Sequence, residues 1–384
     1  MTAKSLRQAL AQAISMLPKN RDSCAKREAV RKWRRDVTRR AFDAHQALRN
    51  RENSLLYGNV LRGRDLNVCK ITPQIVPCRT EQDLLTFSYF SLCSSFPSGD
   101  RPGRRLKFLV RDVGQPGHPL IGICCLSSPV RQLRVRDEWI GWQESKYRST
   151  RARNLVYISD LSTCISMPPY SFLTGGKLLA ALMTSDDVRR LYRERYHEQL
   201  TLRQSLLADE LYLLTTSGCY GSNSPMYKGM RCKGRTLYHF LGYSKGYSHF
   251  QIDPTLYEDV KRFVARRLPE TAGRFRTWSN SKIRVLRLAA RELKISEEIL
   301  VFTGHQRAVF AAPLAENWRQ LLLGDHVSAD VISYPSCEIV EYWKEKWLAR
   351  RLQSCETLAA VRRSSPAGVR VSRVLEARGE KNQP

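Results

Sequence analysis

The sequence contains no apolar run of the roughly 18–20 residues that a membrane-spanning helix requires. Its first twenty residues, MTAKSLRQALAQAISMLPKN, lack the apolar core of a secretory signal. No Cys-x-x-Cys pair occurs among the eleven cysteines, and the seven histidines do not cluster, so the ligand spacing of a structural zinc site is not met. An odd, scattered set of cysteines suits a reducing compartment, where thiols act as small hydrophobes. These absences lead us to expect a cytoplasmic protein with no membrane partner. Neither the Walker nor the dinucleotide glycine spacing is present. No serine or cysteine sits in a context that would activate it as a nucleophile. Acidic residues are also few, 36 against 64 Lys and Arg.

That last shortage sets the formal charge at +28, over an otherwise ordinary globular composition of 42% hydrophobic and 26% charged residues in 384. An excess of this size calls for a polyanion or a charged surface, and nucleic acid is the leading partner. The length allows two or three domains.

Residues 1–52 read as helix, with 14 basic side chains against 5 acidic ones. Two readings stay open for them: a solvated amphipathic helix, or a helix whose Arg34, Arg35, Arg39 and Arg40 meet phosphates. From about 60 to 160 the period changes. VCKITPQIVPC, RLKFLVRDV, HPLIGICCLSSPV and RNLVYISDLS read as strands, the last ending near Asp160. GGKLLAALMTSDDVRRLYRERY reads as one helix, ELYLLTTSG as a strand, and LYHFLGYSKGYSHFQI as two short strands. The last hundred residues read as mostly helical. Within them, residues 260–294 carry 11 basic against 2 acidic side chains, Arg284 and Arg287 included.

Three constellations could carry chemistry. In DLSTCISMPPYSFLTGGKLLA, a strand leads through prolines, Pro169 among them, to a helix opening on Gly175, Gly176 and Lys177. Such amides can hold a phosphate, and such a corner can equally need glycine only for its backbone. In CYGSNSPMY, Tyr220, Ser222, Asn223, Ser224 and Tyr227 crowd polar groups into a turn that could meet sugar, phosphate or base, or simply close a loop. In RDEWIGWQESK, Asp137 followed by Glu144-x-Lys146 has the residue types of a metal-dependent nuclease. With Asp160, these acids would hold a magnesium ion if one is used. Trp139 and Trp142 are more simply core.

Several of these blocks together resemble one family. GICCLSSPVRQLRVRDEWIGW, RNLVYISDLSTCISMPPYSFLTGGKLLAAL, YLLTTSGCYGSNSPMYKGM, FLGYSKGYSHFQI, HQRAVFAAPLAENWRQLL and EYWKEKWLARRL resemble, in order, the DruA family of the Druantia anti-phage defence system. That resemblance implies a defence or mobile-element setting and other Druantia proteins as partners, including a helicase-like one. A fainter resemblance is to the Gcn5-related acyltransferase fold. FLTGGKLLA stands where that fold's pyrophosphate loop would be, with Phe172 and Lys177 departing from its pattern, and Asn223, Tyr227, Gly242 and Tyr243 echo its closing motif. The degraded loop argues against coenzyme A.

The expected architecture is an α/β (α+β) core with an acyltransferase-like mixed sheet, a basic helical N-terminal arm and a helical C-terminal region. The expected divisions are 1–58, 59–254, 255–361 and a polar tail at 362–384. The expected function is DNA interaction within a defence system. The alternatives are a magnesium-dependent nickase using Asp160, Asp137 and Glu144, and an acyltransferase.

Overall fold

The computed structural model describes residues 2–15, 38–92, 103–198, 209–218, 222–246, 252, 254–272, 281–296, 300, 306–325 and 327–371. In chain order the first elements used below are α1 (Ala3–Ser15), β1 (Pro73–Pro77), α2 (Glu81–Leu92), β2 (Arg105–Asp112), β3 (Leu120–Ser127), α3 (Arg134–Ile140) and α4 (Arg148–Asn154). After these come β4 (Ile158–Ser166), α5 (Gly175–Leu182), α6 (Asp186–Tyr196), β5 (Leu213–Gly218), the hairpin β6 (Arg231–Cys232) and β7 (Arg235–Thr236), and β8 (His239–Tyr243). The chain continues with α7 (Pro254–Arg267), α8 (Ser281–Glu292), β9 (Ala308–Pro313), α9 (Trp318–Leu323) and α10 (Ser336–Trp343).

The fold is mixed α/β, as expected. Seven strands form one sheet in the order β1-β2-β3-β4-β5-β9-β8. β1 to β4 pair antiparallel in sequence order, and β5 pairs antiparallel with β9. β4 and β5 run parallel, paired only over Ile158–Asp160 and Leu213–Thr215.

Three expectations need correction. Asp160 does not end its strand. It is the third residue of β4, which runs on to Ser166 because Thr163 and Ile165 keep the β-branched pattern of a strand. The helix expected from Gly175 onward is two helices. Ser185 breaks it, its hydroxyl accepting the Val188 amide at 3.4 Å, with Asp186 and Asp187 in the first turn that follows. Residues 308–313, inside the stretch read as mostly helical, form the interior strand β9.

Contacts divide the chain into two compact units that interleave along it. One holds Met1–Thr38, Gly99–Pro102 and Tyr243–Arg307, and the other Arg39–Ser98, Gly103–Gly242 and Ala308–Pro384. The first contains α1, α7 and α8. Leu6, Leu10 and Ala13 of α1 share a core with Val260, Phe263 and Val264 of α7 and Val285, Leu286 and Ala289 of α8. The second contains the sheet. One face of it is mainly apolar: Leu106, Phe108, Cys124, Leu126, Leu161, Leu214 and Phe310 pack with α5 and α6. The other face carries two separate apolar clusters, one around Phe87 and Phe90 of α2, the other around Ile140, Trp142 and α9.

Candidate functional site

Side chains alternate between the faces of a strand, and directly opposed residues share a face. In this register Arg105, Ser127, Asp160 and Thr215 form one row across β2, β3, β4 and β5. Lys107, Cys125 and Thr163 form the next row. A β-bulge keeps the two rows on one face: Leu161 opposes Leu126 and Thr163 opposes Cys125, so Ser162 is the extra residue. The row beyond, Leu109, Ile123 and Ile165, joins the α2 cluster. On the other side Ile158 and Leu213 join the cluster under α9. A polar seam therefore crosses the middle of the sheet between two apolar clusters.

The α3 end of this seam is built from buried charge. Arg136 is fully buried, and its Nε and Nη2 donate to Oδ1 of Asp137 at 2.9 and 2.6 Å. Its Nη1 donates to the Val130 carbonyl at 2.7 Å. Arg151 Nη1 lies 3.6 Å from the other oxygen of Asp137, which also accepts the Leu133 amide. Burial pulls the Arg136 guanidinium below its usual range, and Asp137 and then Asp160 oppose that pull. Asp160 accepts the Thr215 hydroxyl at 3.2 Å. Burial raises the Cys125 thiol, an effect that the Ser162 hydroxyl, Arg105 and Lys107 oppose and Asp160 reinforces. The Thr163 hydroxyl is buried and, among the described residues, has no hydrogen-bond partner.

The glycine corner lies on the opposite face. It turns through a cis Pro168–Pro169 peptide, and Thr174 precedes α5 with a left-handed φ of 59°. The Trp343 indole donates to the Thr174 hydroxyl at 3.1 Å. A Cβ on Gly175 would stand 2.3 Å from Ser166 Oγ and 2.7 Å from the Tyr170 carbonyl, so packing alone demands glycine there. On Gly176 it would meet only the end of Met226, at 3.2 Å. Gly175→Ala is therefore expected to cost about 1–3 kcal/mol of stability, and Gly176→Ala under about 1 kcal/mol. Urea denaturation of both variants measures this contrast, and equal losses would contradict it.

Lys177 reaches across the corner to the Ser/Asn turn. Its Nζ donates to the Lys228 carbonyl at 2.7 Å and sits 4.0 Å from the Trp347 ring centroid. The side chain borders a shallow pocket lined by Trp343, Trp347, Ile339 and Cys232. Burial lowers its pKa from 10.5 to about 8. Below the lower value, folded and unfolded chains both hold the proton, and the cost of burying the charge is present in full. Between the two values the folded protein has shed a proton that the unfolded chain keeps, so stability from this group rises with pH. Melting temperatures of wild type and Lys177→Met at pH 7.5 and 10 check the sign. The wild type should gain on the variant at the higher pH, and a constant difference would contradict the assignment.

The structure thus brings Gly176, Lys177 and the turn at 222–228 together. In that turn Asn223 accepts the Lys228 ammonium at 2.6 Å, Ser224 is buried, and the Tyr227 hydroxyl lies 3.2 Å from that of Thr216. Pro169 is buried in the corner. Ser222 is half-buried in the turn, and Tyr243 ends β8, exposed. Asp160 lies on the seam face of β4, and Asp137 is paired with Arg136 on α3. Glu144 is exposed and paired with Lys146 at 2.9 Å. Among the described residues no group of three or more His, Cys, Asp or Glu side chains could hold a metal ion.

Of the candidate phosphate contacts, Arg284 and Arg287 are exposed on α8, opposite its buried Val285, Leu286 and Ala289. Arg291 extends that exposed row at helical spacing. Arg39 and Arg40 are exposed on a helical stretch. Arg34, Arg35 and Tyr220 lie outside the described residues. Sequence reasoning missed Arg105, Lys107, Cys125, Thr163 and Arg136. The alternation of Arg105 and Lys107 with Leu106 and Phe108 signals two cations on one face of a core strand.

A mixed seven-stranded sheet with a polar seam, in a chain that also carries a strongly basic helical unit, defines an α/β protein built around a charged sheet face. The chain belongs to the DruA family: the model of that family, Druantia protein DruA, matches residues 25–324. It is 30% identical over 269 residues to the Druantia protein DruA of Escherichia coli (strain UMEA 4076-1), covering 69% of this chain and 65% of that protein. The match spans just under two thirds of the relative's length. No solved structure matches the chain.

Proposed function

We propose that this protein is a DNA-interacting component of a Druantia-type anti-phage defence system, acting with other proteins of that system, a helicase-like one among them. Membership of the DruA family supports the setting. One observation carries the DNA reading. The unit holding Met1–Thr38, Gly99–Pro102 and Tyr243–Arg307 contains 24 Lys and Arg against 11 Asp and Glu, and α8 turns Arg284, Arg287 and Arg291 away from its apolar core. A helix with one face in a core and a basic row outside is suited to a phosphate backbone.

Titration of labelled single- and double-stranded DNA, with and without magnesium, tests the reading through both mobility shift and cleavage. The expected result is a shift without nicking. Magnesium-dependent nicking that Asp160→Asn abolishes would favour the nickase instead. Absence of binding by either form at moderate salt would overturn the proposal.

The parallel pair of β4 and β5, paired over three residues, with a glycine-opened helix after β4, supports a second reading as an acyltransferase-type sheet. Against cofactor use stand Met226 beside Gly176 and the engagement of Lys177 by Lys228 and Trp347. Heat on calorimetric titration with acetyl-coenzyme A would favour this second reading, and none at millimolar ligand would remove it.

A further inference from the structure

We propose that Cys124 and Cys164 form a reversible thiol–disulfide site, oxidised by hydrogen peroxide, that ties β3 to β4 beneath α5. The proposal does not rest on DNA binding. Three observations carry it: register, contact between the two sulfurs, and their unequal exposure.

Register brings the thiols together. Cys124 and Cys164 are direct partners across the antiparallel β3–β4 pair, within a regular run from Gly122 and Ser166 to Cys125 and Thr163. Directly opposed residues of antiparallel strands have Cα atoms roughly 4.5–5.5 Å apart. A disulfide accepts roughly 4.4–6.8 Å. Neither strand has to slide for the bond to form. Cys124 belongs to the core under α5 and α6, and Cys164 packs against that core. Cys125, the next residue of β3, points to the opposite face and joins the α2 cluster. The fold therefore offers Cys164 one of two adjacent cysteines and withholds the other.

The sulfurs are in contact. The Cys124 thiol is directed at Cys164 Sγ, 3.9 Å away. The Cys164 thiol donates to the Gly176 carbonyl at 4.0 Å, a weak restraint. Turning the two side chains toward each other closes the gap to an S–S bond of about 2.05 Å. Opposed strand residues hold their Cβ atoms roughly 4.5–5.5 Å apart, whereas a disulfide prefers roughly 3.5–4.5 Å. Closure draws the strands together, and a bond made under such strain is readily reduced.

Exposure sets the order of events. Cys164 is half-buried, and Cys124 is fully buried. Burial, followed by the neighbouring Cys164, raises the Cys124 thiol well above its ordinary range, so it does not start the reaction. Peroxide meets Cys164 first. The Cys164 sulfur attacks one peroxide oxygen, the O–O bond breaks, and the departing hydroxide takes the thiol proton and leaves as water. The Cys124 sulfur then attacks the sulfur of the resulting sulfenic acid. The S–O bond breaks, and hydroxide leaves as water with the Cys124 proton. Both sulfurs are oxidised, and one peroxide is reduced to two waters.

Peptide mapping of the full chain tests this, after graded peroxide and alkylation of the remaining thiols in denaturant. Fragmentation between Cys124 and Cys125 locates the link. A peptide pair joined through Cys124 and Cys164, lighter by two hydrogens, should exceed any other link to either cysteine roughly tenfold or more. Dithiothreitol should restore both thiols. The same peroxide acting on the chain unfolded in urea should abolish the preference. Cys124→Ala should stop Cys164 at a sulfenic acid that dimedone captures, and Cys164→Ala should leave Cys124 reduced. The wild-type map decides the matter whether or not either variant folds, and it involves no DNA. A link from Cys164 to Cys125 overturns the proposal. So does recovery of Cys124 and Cys164 as free thiols at doses that oxidise the exposed Cys337 and Cys355.

Discussion

Arg136→Met is expected to lower the unfolding free energy by about 3–5 kcal/mol, the usual cost of removing one partner of a buried ion pair. Arg136 is fully buried, donates two hydrogen bonds to Asp137 and holds the Val130 carbonyl. Methionine matches much of its apolar length but leaves Asp137, 6% exposed, with Arg151 at 3.6 Å and the Leu133 amide. The melting temperature should fall on the order of 10 °C for a protein of this size. Combining Arg136→Met with Asp137→Asn removes the stranded carboxylate charge and should recover a large part of the loss, because the cost lies in the uncompensated charge and not in the pair itself. Chemical denaturation of the three variants measures this. A loss below about 1 kcal/mol for the single variant would show that Asp137 reaches solvent or a neutral state more easily than its burial implies.

The second large effect concerns binding. Changing Arg284, Arg287 and Arg291 together to glutamine is expected to weaken duplex DNA binding about a hundredfold near physiological salt, at roughly 1 kcal/mol per charged contact. The slope of log affinity against log salt should shrink by about 3, since each neutralised phosphate contributes roughly 0.9. All three side chains lie on the exposed face of α8, and the core beneath is made by Val285, Leu286, Ala289 and Ala290. Folding should therefore survive the change, and circular dichroism with the same melting temperature is the control. Loss of affinity with an unchanged slope would mean that these arginines act on something other than phosphate.

Much of this fold was legible in the sequence, and the rest was hidden for identifiable reasons. β2 and β3 were readable because β-branched and apolar residues dominate them and Pro or Gly bounds them. β9, AVFAAP, was not. Three alanines carry no strand preference, and the segment's partners, β5 and β8, lie far back in the chain. The two units interleave, whereas shifts in charge and periodicity mark only consecutive stretches. Asp160 was singled out for its place near the end of an apparent strand. Its interest lies in its row, beside Ser127 and Thr215 and within the influence of Arg136, which only register reveals. The glycine corner illustrates the reverse case. Gly175 caught attention as a phosphate cradle, and the close approach of Ser166 and Tyr170 explains it as packing.

DNA contact through the excess positive charge is the proposal for this DruA-family protein that salt dependence tests most directly. The affinity of the wild-type chain for a labelled duplex and for the matching single strand should be measured from about 50 to 300 mM salt. A linear log–log fall with a slope of at least about 4 in magnitude is predicted, corresponding to four or more phosphate contacts. A flat dependence, or no binding to either form at the lowest salt, would contradict the account.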